Sequence, residues 1–242
     1  IANNAIKREN IDNVTDIAAN RNSIINGAMN VAQRSTSVTG IGGSDGYFTI
    51  DRYLITSENT NGRLTMKQTA VTDLPGFANC LELDCTTADT SIAAGEDLIL
   101  TQILEGQDVQ HFQKGTADAR GYALSFYVKG DTNSTYAVEI FDADNTRHIV
   151  SLFNVHSNWS RVELNFDADT TGVLNDDNAA SLAVQFWLHA GSTYNSGTLQ
   201  TTWAAKDNAN RAVGGDSFYA STDRKFFLTG LQLEAGDSCT DF

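Results

Sequence analysis

The chain has 242 residues, 41% of them hydrophobic, which is enough to bury a large core within one domain. Its 30 acidic and 16 basic residues give a formal net charge of −14, and the basic residues are not clustered. This pattern argues against binding to nucleic acid or to an acidic membrane surface, and no apolar run is long enough for a membrane-spanning helix.

Residues 1–23 differ in composition from the rest of the chain. Asn10 is placed to cap a short helix that carries Ile11, Val14 and Ala18 at spacings of three and four. We predict a short helical N-terminal neck or shaft-end segment that pairs with copies of itself; a simple linker helix is the alternative. Because this region has neither an initiator methionine nor an apolar signal core, we expect it to be an internal cut from a longer polypeptide.

From residue 24 onward, about ten or eleven short alternating segments follow one another without helical segments between them. The first two are residues 24–36, interrupted by the turn-forming pair Asn26-Gly27, and residues 47–56. Strands in such a series are typical of antiparallel sheets. The prediction is an all-β, two-layer jelly-roll β-sandwich over residues 24–242.

The strand predicted at residues 181–192 has two different faces, because alternate side chains of a strand point to opposite sides. The apolar face carries Val184, Phe186 and Leu188, and the polar and aromatic face carries Gln185, Trp187 and His189. The apolar face requires a second layer. The other face is the first candidate ligand platform, unless the long polar loop over residues 191–224 covers it.

The three cysteines Cys80, Cys85 and Cys239 fit neither a zinc motif nor a CxxC pair. We expect buried free thiols, which suits a protein assembled in a reducing cytoplasm.

Eight segments follow one another in a distinctive order. They are INGAMNVAQRST, YFTIDRYLIT, LPGFANCLEL, TQILEGQDVQHF, LSFYVKG, NWSRVELNFDADTTG, GTLQTTWAAKDNANRAVG and LTGLQLEAGDSCTDF. Taken in this order, they resemble the tail-fibre and virion structural proteins of bacteriophages. The resemblance extends over residues 24–242 and is most specific over 102–112 and 228–242. It implies a homotrimeric or otherwise oligomeric virion component, whose jelly-roll domain resembles a carbohydrate-binding module and recognises host-surface glycan.

Glycan-binding jelly rolls often hold a structural calcium with an acidic side chain where this chain has Ala28 and Met29. Glu234 could still serve as one ligand, but the site is incomplete. The run from Asp167 to Gly172 resembles half of a calcium loop, yet Asn178 stands where an EF-hand loop needs glutamate. We therefore expect no metal and no cofactor.

Pairs of aspartates at strand ends are the only candidates for glycoside hydrolysis, which needs two carboxyl groups beside the scissile bond. The pairs are Asp142 with Asp144, Asp167 with Asp169, and Asp176 with Asp177 in the loop that follows. Aspartates at these places typically form turns. A polysaccharide-degrading enzyme is therefore the less favoured hypothesis.

Sugar rings stack on aromatic side chains, while acid and amide groups bind their hydroxyls. On this basis the predicted ligand-binding residues are Trp187, Gln185, His189, Tyr127, Tyr194 and Trp203. The alternatives are that the 191–224 loop covers Trp187 and that Trp203 plugs a loop or contacts another subunit. Trp159, at the start of a strand, is interpreted as an anchor of the sandwich edge.

Together, these observations predict a non-enzymatic phage fibre or appendage protein located on the virion and assembled in the host cytoplasm. Its expected partners are a host-surface glycan, other virion proteins and two further copies of itself, with no nucleic acid and no membrane insertion. The alternative is a purely structural virion protein that holds neighbouring subunits and has no glycan site.

Overall fold

The computed structural model describes residues 22–242, so most of the predicted N-terminal neck lies outside the described residues. The strands are β1 (Ser37–Ile41), β2 (Tyr53–Glu58), β3 (Arg63–Ala70), β4 (Asn79–Thr87), β5 (Asp97–Glu105), β6 (Tyr122–Gly130), β7 (Ser134–Asp142), β8 (Arg147–Val155), β9 (Ser160–Phe166), β10 (Ala180–Ala190), β11 (Ala204–Ala205) and β12 (Lys225–Ala235). The helical elements are α1 (Ser192–Asn195) and 3-10 turns at Gly106–Asp108, Gln110–Phe112, Asn208–Asn210 and Phe218–Ala220. No helix within the described residues has the length and apolar character needed to span a membrane.

The strands form two six-stranded sheets whose pairings are antiparallel. Sheet 1 has the order β1-β3-β4-β12-β6-β9, and sheet 2 has the order β11-β8-β7-β10-β5-β2. The four-strand sets β4-β12-β6-β9 and β5-β10-β7-β8 are the two layers of a jelly roll. The predicted all-β sandwich is confirmed, and β10 is an interior strand.

The core lies between the sheets and is built from the inward residues of each alternating strand. The ring of Phe126 in β6 meets Phe153 in β8 and Phe186 in β10 edge-on, each at 5.1 Å between centroids. Removing a side chain of this size from water stabilises the folded state by about 1.5–3 kcal/mol, and the edge-on contact between rings adds to this stabilisation. Val162, Leu164 and Phe166 of β9 pack in or against the same core. The alternation predicted for β6 and β9 is confirmed, and that for β10 is confirmed as far as Trp187, where the register shifts.

One predicted strand is wrong, and another begins too early. Residues 24–36 form a turn and an extended segment, and the strand predicted at residues 47–56 is present as β2 only from Tyr53 onward. Asn26, Met29 and Arg52 have φ of 61°, 57° and 77°, which no strand accommodates. Ile24 and Met29 are nevertheless buried, so apolar residues that suggested a strand instead fix a turn against the core.

All three cysteines carry free thiols. Cys85 faces the core, whereas Cys80 lies on the outer face of sheet 1 with Glu82. Burial raises the pKa of Cys80 to about 12 and that of Cys85 to about 11. Both thiols therefore stay protonated and unreactive at neutral pH.

Candidate functional site

The outer face of sheet 1 contains a hollow of about 180 Å³ that combines aromatic and charged side chains. Strand alternation turns Phe227 of β12 and Lys129 of β6 outward as register partners. Trp159, just before β9, and Asp73, in the β3–β4 connection, complete it. We call this group of Trp159, Phe227, Lys129 and Asp73, with Thr69 and Cys80 beside them, the Trp159 hollow.

One carboxylate holds the Trp159 hollow together. Asp73 accepts a hydrogen bond of 2.8 Å from the indole Nε1 of Trp159 and one of 2.7 Å from Nζ of Lys129. The ammonium lies 5.2 Å from the ring centroids of both Trp159 and Phe227. Hydrogen bonds from Lys129 and then Trp159 lower the pKa of Asp73, so the carboxylate is ionised at neutral pH.

An aromatic strip continues across the same face beyond the hollow. The ring of Tyr127 lies 5.1 Å from that of Phe77, which lies 5.1 Å from that of Phe242. Gly230, at φ 61° in the bulge of β12, makes room for this contact, since a Cβ there would come within 3 Å of Phe77 and Tyr127. Among the predicted ligand residues, Tyr127 therefore lies beside the Trp159 hollow, and its role stays a prediction.

The structure places Trp187 and Gln185 on the outer face of sheet 2, beneath the connection from β10 to β12, and Tyr194 lies in that connection. The prediction that His189 shares this face is wrong, because a register shift after Trp187 pairs His189 with Leu98 of the core. The His189 ring lies 5.3 Å from that of Tyr219, which also belongs to the core. Trp187 and His189 are each 1% exposed. Tyr194 packs on the Trp187 ring at 5.1 Å, and Gln185 accepts a hydrogen bond of 2.8 Å from Arg211. A ligand cannot reach Trp187 or His189 in this arrangement. The structure thus shows the alternative given in the sequence analysis, in which the 191–224 loop covers Trp187.

A fully buried carboxylate, Glu139 of β7, organises that covered face. Its oxygens lie 2.8 Å from Nδ1 of His148 and accept hydrogen bonds from Nε1 of Trp187 at 2.8 Å and from Arg211 at 2.9–3.1 Å. The Arg211 guanidinium also stacks 4.5 Å from the Trp187 ring centroid. Burial alone would raise the pKa of Glu139, but these partners, His148 first, hold it below its usual range. Glu139 is therefore ionised, and its ion pair with Arg211 holds the covering loop against sheet 2.

A second buried carboxylate, Asp97, gives a pH prediction. Burial raises its pKa from 3.8 to about 6, although its Oδ1 accepts the backbone N–H of Glu58 at 3.1 Å. The Asp97 carboxyl group therefore binds its proton more tightly in the folded state than in the unfolded state. Its favourable contribution to the free energy of unfolding is fully present below pH 3.8 and is lost as pH rises through 6. Asp97→Asn should raise the free energy of unfolding by about 2 kcal/mol at pH 7.5 and leave it unchanged at pH 3.5. Urea unfolding at the two pH values checks this; equal effects at both would contradict it.

The remaining predicted ligand residue, Trp203, closes a buried charge cluster. Its indole donates to the Asp167 carbonyl at 2.7 Å, and its ring lies 5.2 Å from Nζ of Lys114. The wholly buried ammonium of Lys114 contacts Asp142 at 2.5 Å and Asp169 at 3.0 Å. It also donates to two carbonyls, those of Thr171 and Gly172, at 2.8 and 3.0 Å. Trp203 thus packs inside its loop and covers Lys114. This is one of the two alternatives that the sequence analysis gave for Trp203.

The strand-end aspartates do form turns, as predicted, and two of them have a further role that was missed. Asp142 accepts the N–H of Asn145 at 2.9 Å, but it also faces Lys114. Burial would raise the pKa of Asp169, yet hydrogen bonds from Arg147 and Lys114 hold it low. These carboxylates are engaged with a lysine inside the protein and are not placed to flank a glycosidic bond.

Glu234, which the sequence analysis considered as a possible calcium ligand, is engaged within the chain. Both carboxylate oxygens of Glu234 accept hydrogen bonds from Thr240, at 2.9 Å from N and 2.7 Å from Oγ1. Within residues 22–242, no group of three or more acidic, histidine or cysteine side chains is arranged to hold a metal ion.

No protein-family model matches the chain, and neither does any curated protein. Among solved structures it is similar to one described as "CBM4 structure and function", at 12% identity over 88% of this chain and 99% of that one, with a TM-score of 0.46. It is also similar to the family 11 carbohydrate-binding module from Clostridium thermocellum in complex with a mixed-linked tetrasaccharide. The identity is 14% over 85% of this chain and 99% of that one, with a TM-score of 0.40. A third similar structure is the enzymatically active domain of tailspike protein 4 from bacteriophage CBA120, at 11% identity over 89% of this chain and 21% of that one, with a TM-score of 0.42. The fold itself is established by the strand order described above.

Proposed function

We propose that the chain is a non-enzymatic carbohydrate-binding domain whose main ligand contact is the Trp159 hollow. The observation that carries this proposal is the partly exposed indole of Trp159, fixed by Asp73 and flanked by Phe227 and Lys129. The assignment as a non-enzyme is supported by the commitment of Asp142 and Asp169 to Lys114.

The chemistry of the hollow suits a sugar ring. The apolar C–H face of a pyranose stacks on the indole, and the carboxylate of Asp73 and the ammonium of Lys129 bind hydroxyls at its rim. Because Asp73 already orients Trp159 and Lys129, little side-chain freedom is lost on binding. The small volume suits one sugar unit, with the neighbouring Tyr127–Phe77 strip available to further units of a chain.

We also propose that this domain belongs to a phage fibre or related virion appendage and acts as a homotrimer on host-surface glycan. The support is the ordered resemblance over residues 24–242 described above. A single small hollow binds weakly, and several copies that bind one surface together compensate for this. Other virion proteins are then its structural partners.

A purely structural virion role is the second candidate. The strip formed by Tyr127, Phe77 and Phe242 favours it, since Phe242 is 50% exposed and apolar surface of this kind also suits a protein neighbour. In that case the strip and the hollow would both be covered in the assembled virion.

A glycan-binding screen with paired variants separates the two candidates. Trp159→Ala should weaken binding of any glycan hit at least tenfold, because it removes the stacking surface and leaves Asp73 without its indole donor. Ile92→Ala, which removes an exposed apolar side chain elsewhere, should leave the dissociation constant unchanged. The absence of hits, with cell-surface extracts of the host included, would favour the structural role.

A further inference from the structure

A second, larger cavity of about 640 Å³ lies where residues 25–34 meet residues 47–52. It shares no lining residue with the Trp159 hollow. Its lining is mixed, with two arginines, one carboxylate, one tyrosine ring and apolar side chains. The residues used below are Arg34, Arg52, Asp51, Tyr47, Ile25 and Asn26.

The two guanidinium groups of this cavity are only loosely engaged. Arg34 lies 3.5 Å from Asp51, and Arg52 lies 3.7 Å from Glu105, while the two arginine side chains are 55% and 47% exposed. Neither guanidinium donates a hydrogen bond to any acceptor within residues 22–242. Two planar forks of N–H donors at the cavity are therefore accessible to a ligand from solvent.

Apolar and aromatic surface lies beside these donors. Tyr47 is 38% exposed, with the Arg34 guanidinium 5.5 Å from its ring centroid, and Ile25 is 40% exposed. An exposed isoleucine and tyrosine next to arginine suit a ligand that has both a hydrophobic face and a negative group.

Two residues in the walls of the cavity have an unusual backbone conformation. Asn26 and Arg52 adopt left-handed backbone conformations, with φ of 61° and 77°. The Asn26 side chain donates to the carbonyls of Val31 and Asp51 at 2.9 and 3.1 Å, which ties the two segments together. A non-glycine residue in this conformation costs free energy and is found disproportionately at functional sites.

We infer that this cavity binds a carboxylated saccharide, such as a uronic-acid unit of an acidic glycan. Arginine forks match the planar geometry of a carboxylate and bind it in a bidentate manner. Tyr47 and Ile25 contact the sugar ring that carries the acid. In a chain of net charge −14, two arginines against one carboxylate in the lining make this cavity locally favourable for an acidic glycan. This site adds to the proposed function and does not depend on the Trp159 hollow.

Calorimetric titration of the full chain with trigalacturonate and with its methyl ester tests the inference, since the ester keeps the rings and removes the charge. The acid should bind, and the ester should bind at least tenfold more weakly. Arg52→Asn, which removes the fork but tolerates a positive φ, should weaken acid binding at least tenfold. Arg34→Lys, which keeps the charge but removes the fork, should weaken it several-fold.

Ile92→Ala, at an exposed side chain outside both sites, is the matched control and should leave trigalacturonate binding unchanged. Trp159→Ala should keep the preference for the acid over the ester, so that failure at one site is distinguished from failure at the other. Equal binding of acid and ester would overturn the inference. So would unchanged binding by Arg52→Asn, no binding of the acid at millimolar concentration, or inorganic sulfate binding as tightly as the saccharide.

Discussion

Replacing Lys114 by methionine should lower the free energy of unfolding by about 4 kcal/mol, the largest effect we expect from a single substitution in this chain. Methionine keeps the length of the side chain but removes the charge. Asp142 and Asp169 would then remain buried with their shared cation gone. Urea unfolding monitored by tryptophan fluorescence measures the loss.

Two further variants show that the loss comes from the unpaired charges. The double variant Lys114→Met with Asp142→Asn should be more stable than Lys114→Met alone, because one orphan charge is removed. Lys206→Met, at an exposed lysine, should change stability by less than about 0.5 kcal/mol. A Lys114→Met protein within about 1 kcal/mol of the parent would contradict this description of the cluster.

The same cluster predicts a rescue by metal. Two carboxylates and two backbone carbonyls around one cation are the ligand types that calcium takes. Lys114→Ala should therefore regain several degrees of melting temperature in millimolar calcium, whereas the parent protein should not respond. An equal calcium response from both proteins would contradict the idea that the lysine takes the place of a cation.

Arg211→Met should lower the free energy of unfolding by about 3 kcal/mol and loosen the loop that covers sheet 2. The substitution leaves Glu139 as a buried ion that keeps Trp187 and His148 but has lost its guanidinium. The loop is otherwise held by backbone bonds such as that from Ala212 N to Tyr194 O at 2.9 Å. Hydrogen exchange of these amides should accelerate, and acrylamide should quench Trp187 more strongly.

The double variant Arg211→Met with Glu139→Gln should recover part of that loss, since the remaining partner is then neutral. Arg34→Met, at an exposed arginine, serves as the control and should be close to neutral. Unchanged exchange rates over residues 194–212 in Arg211→Met would mean that the ion pair does not hold the loop.

The alternation of β6, β9 and β10 was predictable from sequence because each strand has one buried face and a period of two. That regularity establishes which residues share a face, and the core contacts of Phe126 and Phe186 confirm it. It carries no information about what lies over the other face. Trp187 was correctly assigned to the outer face, yet a distant arginine, Arg211, closes a loop above it. His189 was not, because a register shift that no periodicity announces turns it toward the core.

The Trp159 hollow was missed for a different reason. Trp159 lies just outside a strand, so no periodicity assigns it a direction, and Asp73 lies in a turn far away in sequence. Only the pairing of Phe227 with Lys129, set by the register of β12 and β6, brings the group together. The alternation of β6 did place Lys129 outward together with Tyr127, a predicted ligand residue, and this was the signal in the sequence that pointed to this face.

The most direct test of the carbohydrate-binding proposal is an NMR titration that follows the indole N–H signals of the three tryptophans as glycan is added. We predict that the Trp159 signal shifts progressively, because its ring stacks on the sugar, while those of the enclosed Trp187 and the loop-plugging Trp203 stay in place. A shift of Trp187 or Trp203 with Trp159 unchanged would contradict the assignment of the site to the outer face of sheet 1.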